Sequence, residues 1–209
     1  MTKYILVLKY GSAIMKQSKY KIISISGNAR SGKDTLGNNM VKILEEQGIK
    51  AKTVSFANEL KSSVDEFLIS KLGISAFTEK DEEKKIIRPF LVFWGTEVMR
   101  SIDKSCWINK LESNLSDDCV NIITDARFEN EISWVKDNGG LTVFLSREGV
   151  EPANPYEEEE NKKIKDVVDL TFHIGNFEDD NIIYLTSNEI LDKLLTGTIF
   201  KSWKATCHS

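Results

Sequence analysis

Gly27, Gly32 and Lys33 carry the spacing Gly-x-x-x-x-Gly-Lys, within Gly27-Asn28-Ala29-Arg30-Ser31-Gly32-Lys33. Glycines let the backbone bend so that successive N–H groups converge on one anion, and a helix starting at that point adds its positive end. A lysine there is a movable charge that can reach the β- and γ-phosphates of a nucleotide. The pattern is that of a loop that cradles phosphate. Gly27, Asn28, Arg30, Ser31, Gly32 and Lys33 are the residues expected to hold the triphosphate. Asp34 follows Lys33 where the common pattern has Ser or Thr, and Thr35 comes one position later. Asp34 either holds magnesium, directly or through water, or is a favourable acid in the first turn of a helix. Asp34 and Thr35 are accordingly the candidate metal ligands.

The other candidates lie further along the chain. Asp125 ends the run Ile122-Ile123-Thr124-Asp125-Ala126-Arg127. It could orient an acceptor phosphate, bind magnesium through water, fix Arg127, or cap the next helix. Arg127 and Glu131 stand four apart and share a helix face, as a functional or a structural pair. Arg88 and Arg100 flank Phe93-Trp94-Gly95-Thr96. Their planar forks of donors suit phosphate, and the alternative is a surface charge. Trp94 and Trp107 could stack on a base or sit in the core. Glu157 to Glu160 read as a solvated face.

Elements that could position these residues follow from periodicity. Ile22–Ser26, Lys52–Phe56, Val120–Thr124 and Leu141–Leu145 read as buried strands, with later short strands at Asp169–Ile174 and Ile182–Leu185. Helices are expected over Lys33–Gln47, stopped by Gly48, and over 58–72, stopped by Gly73. A charged helix start follows Thr78, interrupted at Pro89. Further helices are expected over Phe90–Arg100, Ile102–Leu115, Phe128–Asn138 and Ser187–Leu195. Residues 147–166 read as a mobile, solvated loop and helix. Strands alternating with helices predict an α/β fold, three layers α/β/α around a central, mostly parallel sheet. Residues 1–18 read as an extension or extra strand, 19–200 as the domain, and 201–209 as a tail.

Composition excludes several classes. The 209 residues suit one sizeable α/β domain, with 41% hydrophobic and 29% charged residues as in ordinary globular proteins. A net charge of −4 gives no electrostatic case for a nucleic-acid or membrane partner. The apolar run Ile5–Leu8 is too short to span a bilayer. Cys106, Cys119 and Cys207 form no CxxC pair, which points to a reduced cytoplasm. His173 and His208 are too few for a histidine-built metal site.

Taken together, the motifs resemble those of the deoxynucleoside monophosphate kinases of phages and bacteria. Ser26 to Thr35 is similar to that family's loop variant, and Phe56-Ala57-Asn58-Glu59-Leu60-Lys61 to its Phe-Ala-x-x-Leu-Lys segment. Arg88 through Arg100 with Trp94-Gly95-Thr96-Glu97, then Trp107, resembles its substrate-side segment. Thr124-Asp125-Ala126-Arg127-Phe128-Glu129-Asn130-Glu131 followed by Gly139-Gly140 resembles its strand-and-helix signature. The similarity covers about residues 20–195.

The resemblance implies a homodimeric, magnesium-dependent kinase that uses ATP on small-molecule nucleotide substrates. It assigns Arg30 through Thr35 to the ATP phosphates and magnesium. It places Arg88, Gly95, Thr96, Trp107, Asp125 and Arg127 around the acceptor, and Trp94, Arg100 and Glu131 are the further substrate-side candidates read from the residues themselves. Arg147 begins a lid over about 147–166, and Asn176 lies near the adenine. Lys33, Asp125 and Arg127 are the expected catalytic residues. Two features depart from the pattern. Asn154-Pro155-Tyr156-Glu157-Glu158 lacks the lid histidine, and lid arginines are reduced to Arg147, with Lys162, Lys163 and Lys165 later. The expected reaction is transfer of the ATP γ-phosphate to a nucleotide 5′-phosphate. The alternatives are another acceptor, since phosphomevalonate-type kinases share the Gly-Lys-Asp element, or a nucleotide-binding regulator.

Overall fold

The computed structural model describes residues 21–175 and 180–196, so the extension read over 1–18, the tail 201–209 and Asn176 lie outside the described residues. The chain divides into two compact units, one made of residues up to 53 and from 116 on, the other Val54–Leu115.

The first unit is built on a five-stranded sheet of β1 (Lys21–Ser26), β2 (Ala51–Val54), β3 (Val120–Ile123), β4 (Leu141–Arg147) and β5 (Leu170–Ile174). Their order is β2-β3-β1-β4-β5. β1 runs parallel to both neighbours, with Ile23 beside Ile122 of β3 and Leu141 of β4, and β4 runs parallel to β5. Side chains alternate across a strand. Ile23 and Ile25 therefore join Val143 and Leu145 on one face, under Leu36, Met40, Ile43 and Leu44 of α1 (Lys33–Glu46). Ile183, Ile190 and Leu191 of the last helix, Asp180–Thr196, complete that core. Burying each such side chain contributes about 1.5–3 kcal/mol, so this layer is a main source of the unit's stability. The opposite face packs helices Glu129–Asp137 and Pro155–Val167. The expected three-layer α/β/α arrangement is the observed one.

The chain leaves β1 between β3 and β4, its neighbours on either side. The carboxyl ends of these strands line up at one edge. In open α/β sheets this reversal of strand order opens a crevice for ligands. The segments after Ser26, Ile123 and Arg147 all emerge there.

The second unit holds α2 (Phe56–Leu72), α3 (Asp81–Val92), a π-helical stretch Phe93–Met99, α4 (Arg100–Ile102) and α5 (Cys106–Glu112). The remaining helices of the first unit are α6 (Glu129–Asp137), α7 (Pro155–Val167) and α8 (Asp180–Thr196). The second unit's own small core is Val64, Leu68, Ala76 and Ile87, with Phe90, Leu91 and Trp94 against it. No helix among the described residues is long and apolar enough to cross a membrane.

Several sequence expectations are corrected. Pro89 does not interrupt its helix; α3 runs through it. Proline removes the N–H that would bond the carbonyl four residues back, at Lys85. Both residues are exposed, so the missing bond falls on an exposed side of the helix. The helix read over Ile102–Leu115 is broken at Asp103, whose extended backbone ends α4. Asp103 then starts the next turn: its Oδ1 accepts from Ser105 N at 2.8 Å and its carbonyl from Cys106 N at 3.1 Å. Ile182–Leu185 is not a strand but part of α8. The β-branched pair Ile182-Ile183 looks extended in isolation. Burial of Ile183, Ile190 and Leu191 follows helical spacing, and packing against α1 overrides the local preference. The second strand stops at Val54, because Ser55 caps α2 with its hydroxyl accepting from Asn58 N at 3.3 Å. Within the loop-and-helix segment read over 147–166, the helix is Pro155–Val167, capped by Asn154 Oδ1, which accepts from Glu157 N at 2.9 Å.

Candidate active site

The loop from Gly27 to Lys33 closes between β1 and α1. Gly27 has φ 141°, and a Cβ there would stand 2.0 Å from the Leu145 carbonyl oxygen on β4. Only glycine lets the loop pass so close to the neighbouring strand. Gly32 at φ 94° turns the chain into α1, and Arg30 takes φ 66° without being glycine. That conformation costs a side-chain-bearing residue roughly 1–2 kcal/mol, so the loop stores modest strain at its tip. Ser31 N donates to Asn28 O at 3.2 Å, which folds the loop back on itself.

Lys33 points into this ring. Its Nζ donates to Gly27 O at 2.9 Å and Asn28 O at 2.7 Å, and the side chain is buried. Burial is the main reason that its pKa falls from 10.5 to about 8. The Arg127 guanidinium pushes the same way, while Asp34, Glu157 and Asp125 oppose it. Lys33, Asp34, Asp125, Arg127 and Glu157 thus share one electrostatic neighbourhood. The ammonium rests on neutral carbonyls, which an anionic ligand would outcompete.

Asp34 lies in the first turn of α1, and its Oδ1 accepts from the Thr124 hydroxyl at 2.6 Å. Gly37 makes this approach possible: a Cβ there would meet Thr124 Cγ2 at 2.6 Å. The last buried residue before Asp125 thereby fixes the carboxylate that follows the lysine. Thr35 is exposed on the same turn. A magnesium ion is usually held by one or two carboxylates plus substrate phosphates. Asp34, tethered and exposed beside the loop, fits that mode. No group of three or more metal-ligating side chains occurs among the described residues.

Asp125 and Arg127 sit in the turn between β3 and α6. Glu131 holds that turn: its Oε2 accepts from Arg127 N at 2.8 Å and Phe128 N at 3.2 Å. This is half of a capping box, with the third helical residue reaching back to the free N–H groups of the helix start. Glu131 is buried, so its carboxylate shapes the segment that carries Asp125 and Arg127. Arg147 closes β4 at the same edge of the sheet, in register with Ile174.

The candidates within Val54–Leu115 have their own surroundings. Trp107 is buried, and its Nε1 donates to Gly95 O at 3.0 Å. Trp94 Nε1 donates to Ser63 Oγ at 3.3 Å, and its ring stacks on Phe90. Trp107 is thus a core residue of its unit, while Trp94 is partly buried against that unit's small core. Gly95 packs under Leu60, whose Cδ1 would be 2.1 Å from an added Cβ. Arg100 Nη1 donates to Lys104 O at 3.2 Å, closing the turn after the π-helical stretch. Arg88 is exposed and Thr96 is half-buried.

Sequence reasoning missed three residues. Thr124 was seen only as a strand end. Glu157 and Asn161 reach the loop from α7: Ala29 N donates to Glu157 Oε1 at 3.2 Å, and Asn161 Nδ2 to Asn28 Oδ1 at 2.6 Å. The one available signal was Asn154-Pro155-Tyr156-Glu157, a helix start with the acid at its third position.

A model of the phosphomevalonate kinase family matches residues 25–140. No curated protein matches the sequence. Among solved structures, the shikimate kinase of Acinetobacter baumannii in complex with shikimate is 12% identical, covering 89% of this chain and 99% of its own, with a TM-score of 0.44. The shikimate kinase of Bacteroides thetaiotaomicron is 17% identical, with coverages of 84% and 98% and a TM-score of 0.45. An APS kinase of Mycobacterium tuberculosis in complex with AMPPNP and APS is 14% identical, with coverages of 85% and 98% and a TM-score of 0.38. Likeness at this distance carries neither acceptor nor mechanism. The family match is different in kind, because it includes the loop, Asp34, Asp125, Arg127 and Glu131 and spans more than half of the chain. The motifs resemble the deoxynucleoside monophosphate kinases, but the matching model is that of another P-loop kinase family. The chain is a P-loop kinase that belongs to the phosphomevalonate kinase family.

Proposed function

We propose that this kinase transfers the terminal phosphoryl group of ATP to a phosphomonoester, making a diphosphate, with a nucleoside or deoxynucleoside monophosphate as the acceptor. The observation that carries the reading is the buried Lys33 ammonium, held on Gly27 O and Asn28 O in the loop and within charge reach of Asp34, Asp125 and Arg127. A phosphomonoester is already nucleophilic near neutral pH, so the chain needs no strong general base. The demand is for positioning and for stabilising spread negative charge.

Gly27, Asn28, Arg30, Ser31 and Gly32 would surround the triphosphate with main-chain donors. Lys33 would exchange its two carbonyl partners for phosphate oxygens. Asp34, oriented by Thr124, and Thr35 would hold magnesium, which when bound supplies further neutralising charge. Arg127 would stabilise charge on the transferring group, and Asp125 would orient the acceptor, both on a turn fixed by Glu131. Arg147 is a further cation at that sheet edge. A homodimer, a cytoplasmic setting and the absence of nucleic-acid or membrane partners belong to the same proposal.

A second reading has a specific observation behind it. The matching family is named for phosphomevalonate, another phosphomonoester. The chemistry is unchanged, and only the acceptor pocket differs. An ADP-release assay with Mg-ATP, run across the common ribo- and deoxynucleoside monophosphates and phosphomevalonate, separates the two. At least tenfold stimulation by one or more nucleoside monophosphates is expected. Stimulation by phosphomevalonate alone would select the second reading. ATP binding with no acceptor-dependent ADP release would leave a nucleotide-binding regulator instead.

A further inference from the structure

α7 offers four consecutive acids, and one of them behaves differently. Glu158 pairs with Lys162, while Glu159 and Glu160 pair with Lys163, all along the helix itself. Glu157 turns inward. Its Oε1 accepts from the loop amide of Ala29 at 3.2 Å and its Oε2 from Ala153 N at 2.6 Å. An acid at the third helical position ordinarily reaches back to the N-cap amide. Here it bridges to a loop of the sheet edge instead.

One turn on, Asn161 lies on the same helix face and donates to Asn28 Oδ1 at 2.6 Å. Asn28 in turn donates to Val150 O at 2.9 Å, ahead of the helix. Three contacts thus fasten the segment 150–161 to a single dipeptide, Asn28-Ala29. That dipeptide belongs to the loop whose amides serve as anion donors under the proposed function. A carboxylate on such an amide is chemically a stand-in for a phosphate oxygen.

From this we infer that Glu157 is a built-in competitor for the phosphate cradle. In the nucleotide-free chain its carboxylate latches α7 onto the Ala29 amide. An incoming triphosphate displaces it and frees the start of α7 to rearrange. The inference rests on the phosphate-binding reading of the loop. A ligand that must displace an internal group has its apparent affinity lowered by the fraction of chains latched.

The test uses the full-length chain and its Glu157→Gln variant, which keeps the shape and removes the charge. Mg-ATP affinity is measured by calorimetry, and amide hydrogen exchange over residues 150–161 without nucleotide. The variant is expected to bind Mg-ATP about three- to tenfold more tightly and to exchange several-fold faster in that segment. Asn161→Ala, which loosens the helix at its second contact, should move both readings the same way by smaller factors. Normal ATP binding by the wild type with no gain in either variant would overturn the latch alone. Absence of ATP binding in all three proteins would overturn the phosphate reading and the latch with it.

Discussion

Lys33 concentrates the chemistry at the scale of single residues. Its pKa lies near 8 because a charged ammonium has been drawn out of water, against an ordinary value of 10.5. Between those two values the unfolded chain binds more protons than the folded one, so nucleotide-free stability rises with pH from about 8 to about 10.5. Below pH 8 burial of the charge costs up to about 3 kcal/mol. A bound triphosphate favours the charged form and reverses the balance. Nucleotide binding at pH 8 should therefore take up close to half a proton, and affinity should fall as the pH rises further. Calorimetry in two buffers of different ionisation enthalpy reads this directly. Binding heats that do not depend on the buffer would contradict it. Lys33 was legible in the sequence because its spacing from Gly27 and Gly32 is fixed by local backbone geometry. Glu157 was not, because its partner at Ala29 is distant in sequence, and the local signal, an acid at the third position of a helix start, points to a cap rather than to the loop.

Elements decide how those residues meet. Gly37 lies inside α1, where glycine is a poor helix former, and propensity alone predicts that Gly37→Ala stabilises by up to about 1 kcal/mol. Packing argues the other way. The new methyl would stand 2.6 Å from Thr124 Cγ2, and overpacking of this kind costs about 1–3 kcal/mol. The packing cost should win, with a net loss of about 1–2 kcal/mol in denaturant unfolding and weaker Mg-ATP binding as Asp34 is drawn from Thr124. A more stable variant would show that the helix does not need its close approach to β3. The long elements of the first unit were readable, since Ile22–Ser26 is a β-branched run that ends at Gly27 and Leu36–Leu44 carries a helical pattern. Errors fell where tertiary context overrides local preference. Pro89 is tolerated on an exposed helix face, Asp103 both ends one helix and begins another, and Ile182-Ile183 is recruited to a helix by α1.

For the whole molecule, alternation of strands and helices was enough to predict a parallel sheet, and the order β2-β3-β1-β4-β5 puts the loop at its reversal point. Division of the chain at 53/54 and 115/116 was not legible, because composition does not shift there. Acceptor choice is equally hidden, since it depends on pocket shape rather than on a motif. Everything proposed for the intact enzyme rests on the loop between Gly27 and Asp34 accepting a triphosphate beside the Lys33 ammonium. The direct measurement is the Mg-ATP dissociation constant of the wild type against Lys33→Met, with circular dichroism to verify that the variant folds. Saturable binding by the wild type, weakened at least a hundredfold in a folded Lys33→Met, is the predicted result. Equal affinity in the two proteins, or no binding by the wild type, would contradict the account.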